Sequence, residues 1–176
     1  GGGYGAYRWK LNGRDGNAID DNYIFTADTI VYIVTNYIKF KMQGTVLSGY
    51  NGKRPEGLII IGDTVTQIGS NAFAYCIGLT GVDFSACTNL TQIGSSAFEG
   101  CKGLTGRLRL PVSLTEIGSG AFKDCKGIVG ELKLPAGLTE ISYRAFYACG
   151  LSGINFSACT NLKRIGNGAF SDCMHL

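Results

Sequence analysis

The 176-residue chain contains a single histidine, at position 175, three prolines and one tryptophan. A lone terminal histidine leaves acid–base or triad chemistry without its usual group. Charged residues make up only 16% of the chain and the net charge is +3, which does not point to nucleic acid or to an anionic membrane surface. No apolar run approaches the ~18 residues of a membrane span, so membrane insertion is not expected. The 27 glycines follow no Gly-X-Y period, which excludes collagen. There is no C-x-x-C pair to hold a metal. No Lys-Ser/Thr follows Gly1–Gly5, so that stretch is not a phosphate loop. No cofactor is expected. The chain has neither an initiator methionine nor a signal peptide, as expected of a mature form or a fragment.

What the chain does have is a repeat. Ile68–Leu79 reads IGSNAFAYCIGL, Ile93–Leu104 IGSSAFEGCKGL, Ile117–Ile128 IGSGAFKDCKGI, Ile141–Leu151 ISYRAFYACGL and Ile165–Leu176 IGNGAFSDCMHL. The phenylalanines fall at 73, 98, 122, 146 and 170, steps of 25, 24, 24 and 24. Between the phrases lie apolar alternations, Val82-Asp83-Phe84, Leu108-Arg109-Leu110, Leu132-Lys133-Leu134 and Ile154-Asn155-Phe156, with Ile59–Ile61 in the same place before the first. Such alternation predicts strands buried on one face. Turns follow, at Pro111–Ser113, Pro135–Gly137 or the longer Ser85–Asn89 and Ser157–Asn161. The Ala-Phe-x-x-Cys segment predicts a 3₁₀ or single helical turn. The glycines after Ile68, Ile93, Ile117 and Ile165 predict a bend or a positive φ where each coil turns. A unit of this size cannot bury its own core, whereas stacked copies bury a continuous one. The expected fold is mainly β: a solenoid of about five repeats over 51–176, preceded by a small β segment over 1–50.

The pattern L-P-x-x-L-T-x-I-G-x-x-A-F-x-x-C-x-x-L resembles the BspA-like, or Treponema-type, leucine-rich repeats of bacterial surface proteins. The resemblance covers roughly Leu58–Leu176. It implies a right-handed solenoid with a parallel sheet on its concave face. It also implies an extracellular or surface-attached protein of the kind linked to adhesion or host-protein binding.

The first fifty residues differ. Asn12–Gly16 reads as a turn between strands, and Thr29–Thr35 as a β-branched strand, with Ile38–Met42 as another. Trp9 together with Phe25–Tyr32 resembles the end of the Listeria–Bacteroides repeat, a small β-grasp-like module. That resemblance implies a spacer or partner-binding unit. Alternatively, the segment caps the open apolar face of the first repeat.

Of the seven cysteines, Cys76, Cys101, Cys125, Cys149 and Cys173 share one place in the repeat, and Cys87 and Cys159 belong to the longer turns. Stacked side chains point in parallel rather than at one another, so free, buried thiols are expected. Cys173 and His175 are close in sequence, but Cys173 is one rung of a ladder whose other rungs lack histidine. Glu116 and Glu140 occupy equivalent places, where Gln67, Gln92 and Arg164 also stand, as on an exposed row. An enzyme is therefore not expected.

Binding is the better class. Outward positions of the strands line up as Ile60, Asp83, Arg109, Lys133 and Asn155, with Arg107 and Glu131 two places earlier in their repeats. The candidate partner-binding residues are Asp83, Arg107, Arg109, Glu131, Lys133 and Asn155. The expected partner is a protein or other extracellular macromolecule. Two readings of this row stay open: a contact surface, or a solvated face of a structural spacer that displays other domains.

Overall fold

The computed structural model describes the backbone of Tyr23–Thr26 and Thr29–Thr35 and the chain from Lys39 to Leu176, with side chains from Phe40 onward. The Gly1–Gly5 stretch, Trp9, the Asn12–Gly16 turn, Ala27, Asp28 and Ile38 lie outside the described residues. In chain order the strands are β1 (Tyr23–Thr26), β2 (Thr29–Thr35), β3 (Lys39–Gln43), β4 (Val46–Asn51), β5 (Glu56–Ile60), β6 (Gln67–Ile68), β7 (Leu79–Asp83), β8 (Gln92–Ile93), β9 (Glu116–Ile117), β10 (Val129–Lys133), β11 (Glu140–Ile141), β12 (Gly150–Asn155) and β13 (Arg164–Ile165). Among the described residues there is no helix, and none is therefore long and apolar enough to cross a membrane.

The repeat phrases stack as coils of a β-solenoid of about five turns. Its most regular wall is the sheet ordered β13-β11-β9-β8-β6-β4-β3, in which each coil contributes a two-residue parallel rung from β6 onward. The inward residues form a ladder, Leu47, Ile68, Ile93, Ile117 and Ile141, all fully buried, that ends at the exposed Ile165 of β13. Burial of each such side chain contributes about 1.5–3 kcal/mol. On the outside, a threonine ladder ties the coils together. Thr91, Thr115 and Thr139 each donate an Oγ1 hydrogen bond to the threonine carbonyl one coil earlier, at 3.2, 3.0 and 3.0 Å.

The Ala-Phe-x-x-Cys segments make a second wall, and here the expected helical turn takes another form. In the first phrase Ala72, Ala74 and Cys76 donate back three residues to Gly69, Asn71 and Phe73. The intervening Asn71, Phe73 and Tyr75 donate instead to Ser95, Ala97 and Glu99 of the next coil, at 2.9, 2.8 and 2.6 Å. The three-back bonds are of 3₁₀ type, but they cannot run consecutively because every second N–H points to the neighbouring coil. Two residues per phrase sit at positive φ to allow it, as at Asn71 (58°) and Tyr75 (58°) or Arg144 (51°) and Ala148 (54°).

The glycines after the isoleucines serve a different purpose from the one expected. None of Gly69, Gly94, Gly118 and Gly166 has a positive φ. They are small because backbones meet there: a Cβ on Gly118 would lie 2.7 Å from the carbonyl carbon of Gly94, and one on Gly166 would lie 2.4 Å from the Tyr143 nitrogen.

Inside, Phe73, Phe98, Phe122, Phe146 and Phe170 form a continuous stack with centroid spacings of 5.3, 5.2, 5.3 and 5.5 Å. At its N-terminal end Phe40 meets Phe73 edge-on at 5.8 Å and Tyr50 stacks on it at 6.4 Å. Both come from the β3–β4 hairpin, whose Val46 and Leu47 pair with Gln67 and Ile68 of β6. β2 adds antiparallel to β5, with β1 outside it. The strand pairings thus run across residue 50.

Candidate functional site

The third wall carries the candidate residues. It holds two separate parallel pairs, β5 with β7 and β10 with β12, and the segment between them, Arg107–Leu110, is in neither. The expected strand at Leu108–Leu110 is therefore not formed. Sequence spacing accounts for this. Gly57 and Ile59 pair with Leu79 and Val82, two residue steps against three, and one bulge at Gly57/Leu58 absorbs the difference. Gly130 and Leu132 pair with Leu151 and Ile154 in the same way, with the bulge at Gly130/Glu131. Gly106 bridges Ile128, as those glycines do, but the next core positions are Leu108 and Leu132, two steps against four. A single bulge cannot absorb that, so the pairing ends at Gly106.

Among the described residues, no backbone–backbone hydrogen bond involves Arg107, Leu108, Arg109 or Leu110. The side chains register the displacement as well. Leu132 and Leu134 are buried, whereas Leu108 and Leu110 are only partly so. The interruption opens two adjoining cavities. One, of about 550 Å³, is lined by Leu58, Val82, Phe84, Arg107, Leu110 and Val112 among others, and the smaller, about 250 Å³, by Leu108, Arg107, Arg109, Glu131 and Lys133.

The structure brings Arg107, Arg109, Glu131 and Lys133 together and gives the other two candidates a local task. Asp83 also borders the larger cavity, but its Oδ1 accepts the Ser85 N–H at 2.8 Å. Asn155 does the same for Ser157 at 2.9 Å, and its amide faces Glu131 at 3.5 Å. Both are Asx turns that open the longer Ser-Ala-Cys-Thr-Asn loops. Arg107, Arg109, Glu131 and Lys133 are exposed. Among the described residues the ion pairs lie elsewhere: Lys53–Glu56, Lys123 with Glu99 and Asp124, and Arg164–Glu140. The apolar rim of Leu58, Val82 and Val112 was not singled out from sequence. Its signal is the unequal step between Leu79–Val82 and Leu104–Leu108, visible only when adjacent repeats are compared.

The remaining chemistry-bearing groups are structural. Six of the seven cysteines are buried, Cys159 is partly so, and all are free thiols. Cys101, Cys125, Cys149 and Cys173 each donate Sγ–H to the phenylalanine carbonyl one coil back, at 3.0, 3.0, 3.1 and 3.2 Å. Burial pushes the thiols of Cys87, Cys101 and Cys149 up to about 12, and raises Cys125 and Cys173 too, so they stay protonated. That is the opposite of an activated nucleophile. Glu116 and Glu140 are neighbours in register, but Glu140 is hydrogen-bonded to Arg164, which holds its carboxyl below the usual range.

These features define a leucine-rich-repeat β-solenoid. A model of the BspA-type leucine-rich repeat region matches residues 56–176 in six copies, and the chain belongs to that family. A leucine-rich repeat protein from Bacteroides ovatus ATCC 8483 is 31% identical, with 68% of this chain and 36% of that one covered and a TM-score of 0.51. A leucine-rich cell surface protein from Faecalibacterium prausnitzii A2-165 is 21% identical, covering 88% of this chain and 53% of its own, with a TM-score of 0.48. The leucine-rich repeat protein of T. pallidum is 22% identical, covering 79% and 87%, with a TM-score of 0.42. The chain thus spans about a third of the Bacteroides ovatus protein's length and about half of the Faecalibacterium prausnitzii protein's. No curated protein matches it.

Proposed function

We propose that this chain is a non-enzymatic, protein-binding module of a bacterial cell-surface protein, acting in adhesion or recognition of an extracellular protein. Residues 51–176 form the binding solenoid and residues 1–50 its N-terminal unit, with the β3–β4 hairpin serving as the cap. Family membership supports the surface location. The observation that carries the binding role is the cluster of exposed Arg107, Arg109 and Lys133 beside two adjoining cavities. A cavity of about 570 Å³ also lies beside Tyr147–Gly150 and His175, but there the Ala-Phe turns stay bonded from coil to coil, whereas at Arg107–Leu110 the backbone bonding between coils is interrupted. Asp83 and Asn155 contribute by shaping the rim through their turns, and Glu131 by setting a carboxylate among the cations.

A pull-down with extracellular-matrix proteins, followed by attachment assays on cells displaying the full-length protein, tests this role. Arg107→Glu combined with Arg109→Glu should abolish attachment. The second reading, a spacer that displays other domains, is favoured by the number of side chains committed to coil-to-coil contacts. Unchanged attachment in the double variant would establish the spacer reading in its place.

A further inference from the structure

We infer that the interrupted wall between β7 and β10 binds an acidic, extended protein segment. Its carboxylates would lie on Arg107 and Arg109, with an aliphatic side chain between them entering the cavity below. This rests on the protein-binding role above and names the chemistry of the partner.

Backbone groups are the first argument. Arg107–Leu110 makes no backbone hydrogen bond to either side. On the edges facing it, β7 makes one such bond, from the Thr105 N–H to Thr80, and β10 one, from Val129 to Gly106; past these points both strands are paired only on their far edges. Unpaired edges of this kind accept extended chains. Charge is the second. Arg107, Arg109 and Lys133 are exposed, and no carboxylate lies within ion-pair distance of any of them among the described residues. The two acids nearby keep their charge but are directed to neutral donors, Asp83 to the Ser85 N–H and Glu131 to the Asn155 amide, which leaves three cations against two acids at the wall.

Spacing is the third argument. Arg107 and Arg109 alternate with the half-buried Leu108 and Leu110, so they share the outward side. On an extended partner, side chains two residues apart also share a side, about 7 Å from one another. Guanidinium groups pair with carboxylates in a two-pronged geometry that lysine does not reproduce. The cavity is the fourth. Its apolar lining of Leu58, Val82, Leu110 and Val112 suits an aliphatic side chain. Phe84, the one aromatic residue in that lining, is itself buried, so no ring face is offered to a sugar. This favours a peptide over an acidic polysaccharide.

The test is an anisotropy titration of the intact chain with a labelled peptide alternating glutamate and leucine. Saturable binding is expected, weakened by salt. Arg107→Glu with Arg109→Glu should weaken it by at least about tenfold, as lost charge pairs do at interfaces. Lys133→Gln should weaken it less, and Lys126→Gln, on another face, should leave it unchanged. Thermal melts matching the parent protein establish that the variants fold, as expected for exposed positions. Equal binding of a glutamine-for-glutamate peptide, or indifference to both arginine changes, overturns the inference. Binding of a sulfated oligosaccharide at these arginines, with no peptide binding, also overturns it. If the peptide fails while the double variant still abolishes attachment, only the acidic-segment inference falls. If the peptide binds at the arginines and attachment is unchanged, the adhesion reading falls.

Discussion

Removing one ring from the middle of the phenylalanine stack probes how the solenoid is held together. Phe122 is fully buried, with Phe98 at 5.2 Å and Phe146 at 5.3 Å, and planes tilted by only 7° and 5°. Its backbone is fixed independently: the N–H donates to Ala145 at 2.8 Å and the carbonyl accepts the Cys149 thiol. The backbone therefore cannot collapse into the space left by Phe122→Ala, and both ring contacts are lost. A buried Phe→Ala change costs about 3–5 kcal/mol, including roughly 0.5–1.5 kcal/mol for each aromatic pair. Phe170 has one ring neighbour, at 5.5 Å, and is only partly buried. Phe170→Ala should therefore cost about half as much or less. In urea melts followed by circular dichroism, a slope of about 2 kcal/mol/M turns the central loss into a midpoint shift of about 2 M. Nearest-neighbour coupling predicts this gradient from centre to end. Equal shifts for Phe122→Ala and Phe170→Ala, or a central shift below about 0.5 M, would refute the reasoning.

Ala148 sits at φ 54°, where the equivalent residue two coils earlier is Gly100 at 68°. Left-handed backbone costs an L-residue about 1–2 kcal/mol, and glycine's extra unfolded-state freedom costs about 0.5–1. Ala148→Gly should therefore raise stability slightly, by up to about 1 kcal/mol; a lowered melting temperature would contradict the strain argument. Under native conditions a thiol reagent should label Cys159 quickly and the six buried cysteines only on unfolding, as counted by intact mass; rapid labelling of Cys101 or Cys125 would sink the ladder assignment. The same thiols make the fold sensitive to alkali. Below about pH 9 both states keep their protons, whereas between about 9 and about 12 only the unfolded chain releases them, so stability falls as pH rises through that window. Each such thiol contributes about 1.4 kcal/mol per pH unit to the slope, and urea melts of Cys101→Ala and Cys149→Ala should show a shallower one.

The ladders were legible because each depends on one position repeating: Ile, Ala, Phe, Cys and Leu recur at fixed intervals, and stacking follows from the interval. The positive-φ residues were not, because Asn71, Ser96, Asp124 and Arg144 share no composition. Hydrogen bonding to the next coil, rather than local preference, sets their conformation. The glycines after the isoleucines were expected to serve a bend or a positive φ; positive φ is not used, and Gly94, Gly118 and Gly166 instead meet a neighbouring backbone. At the candidate site, Arg107 and Arg109 were found by alternation alone. The missing strand around them was not, since it arises from a mismatch between two coils that each look regular. Asp83 and Asn155 carried a readable sign of their turn role, as both precede Phe-Ser-Ala-Cys-Thr-Asn.

Two walls of the solenoid are continuous from coil to coil, and the third is cut at Arg107–Leu110. Tension applied along the stacking axis therefore passes through the two-residue rungs, the threonine ladder and the Ala-Phe turns, and largely bypasses the cut. The same cut is where this wall has the least backbone bonding to resist bending, since Arg107–Leu110 contributes none. A tethered protein pulled from its ends would keep its coils together while the face bearing the arginines stayed mechanically quiet.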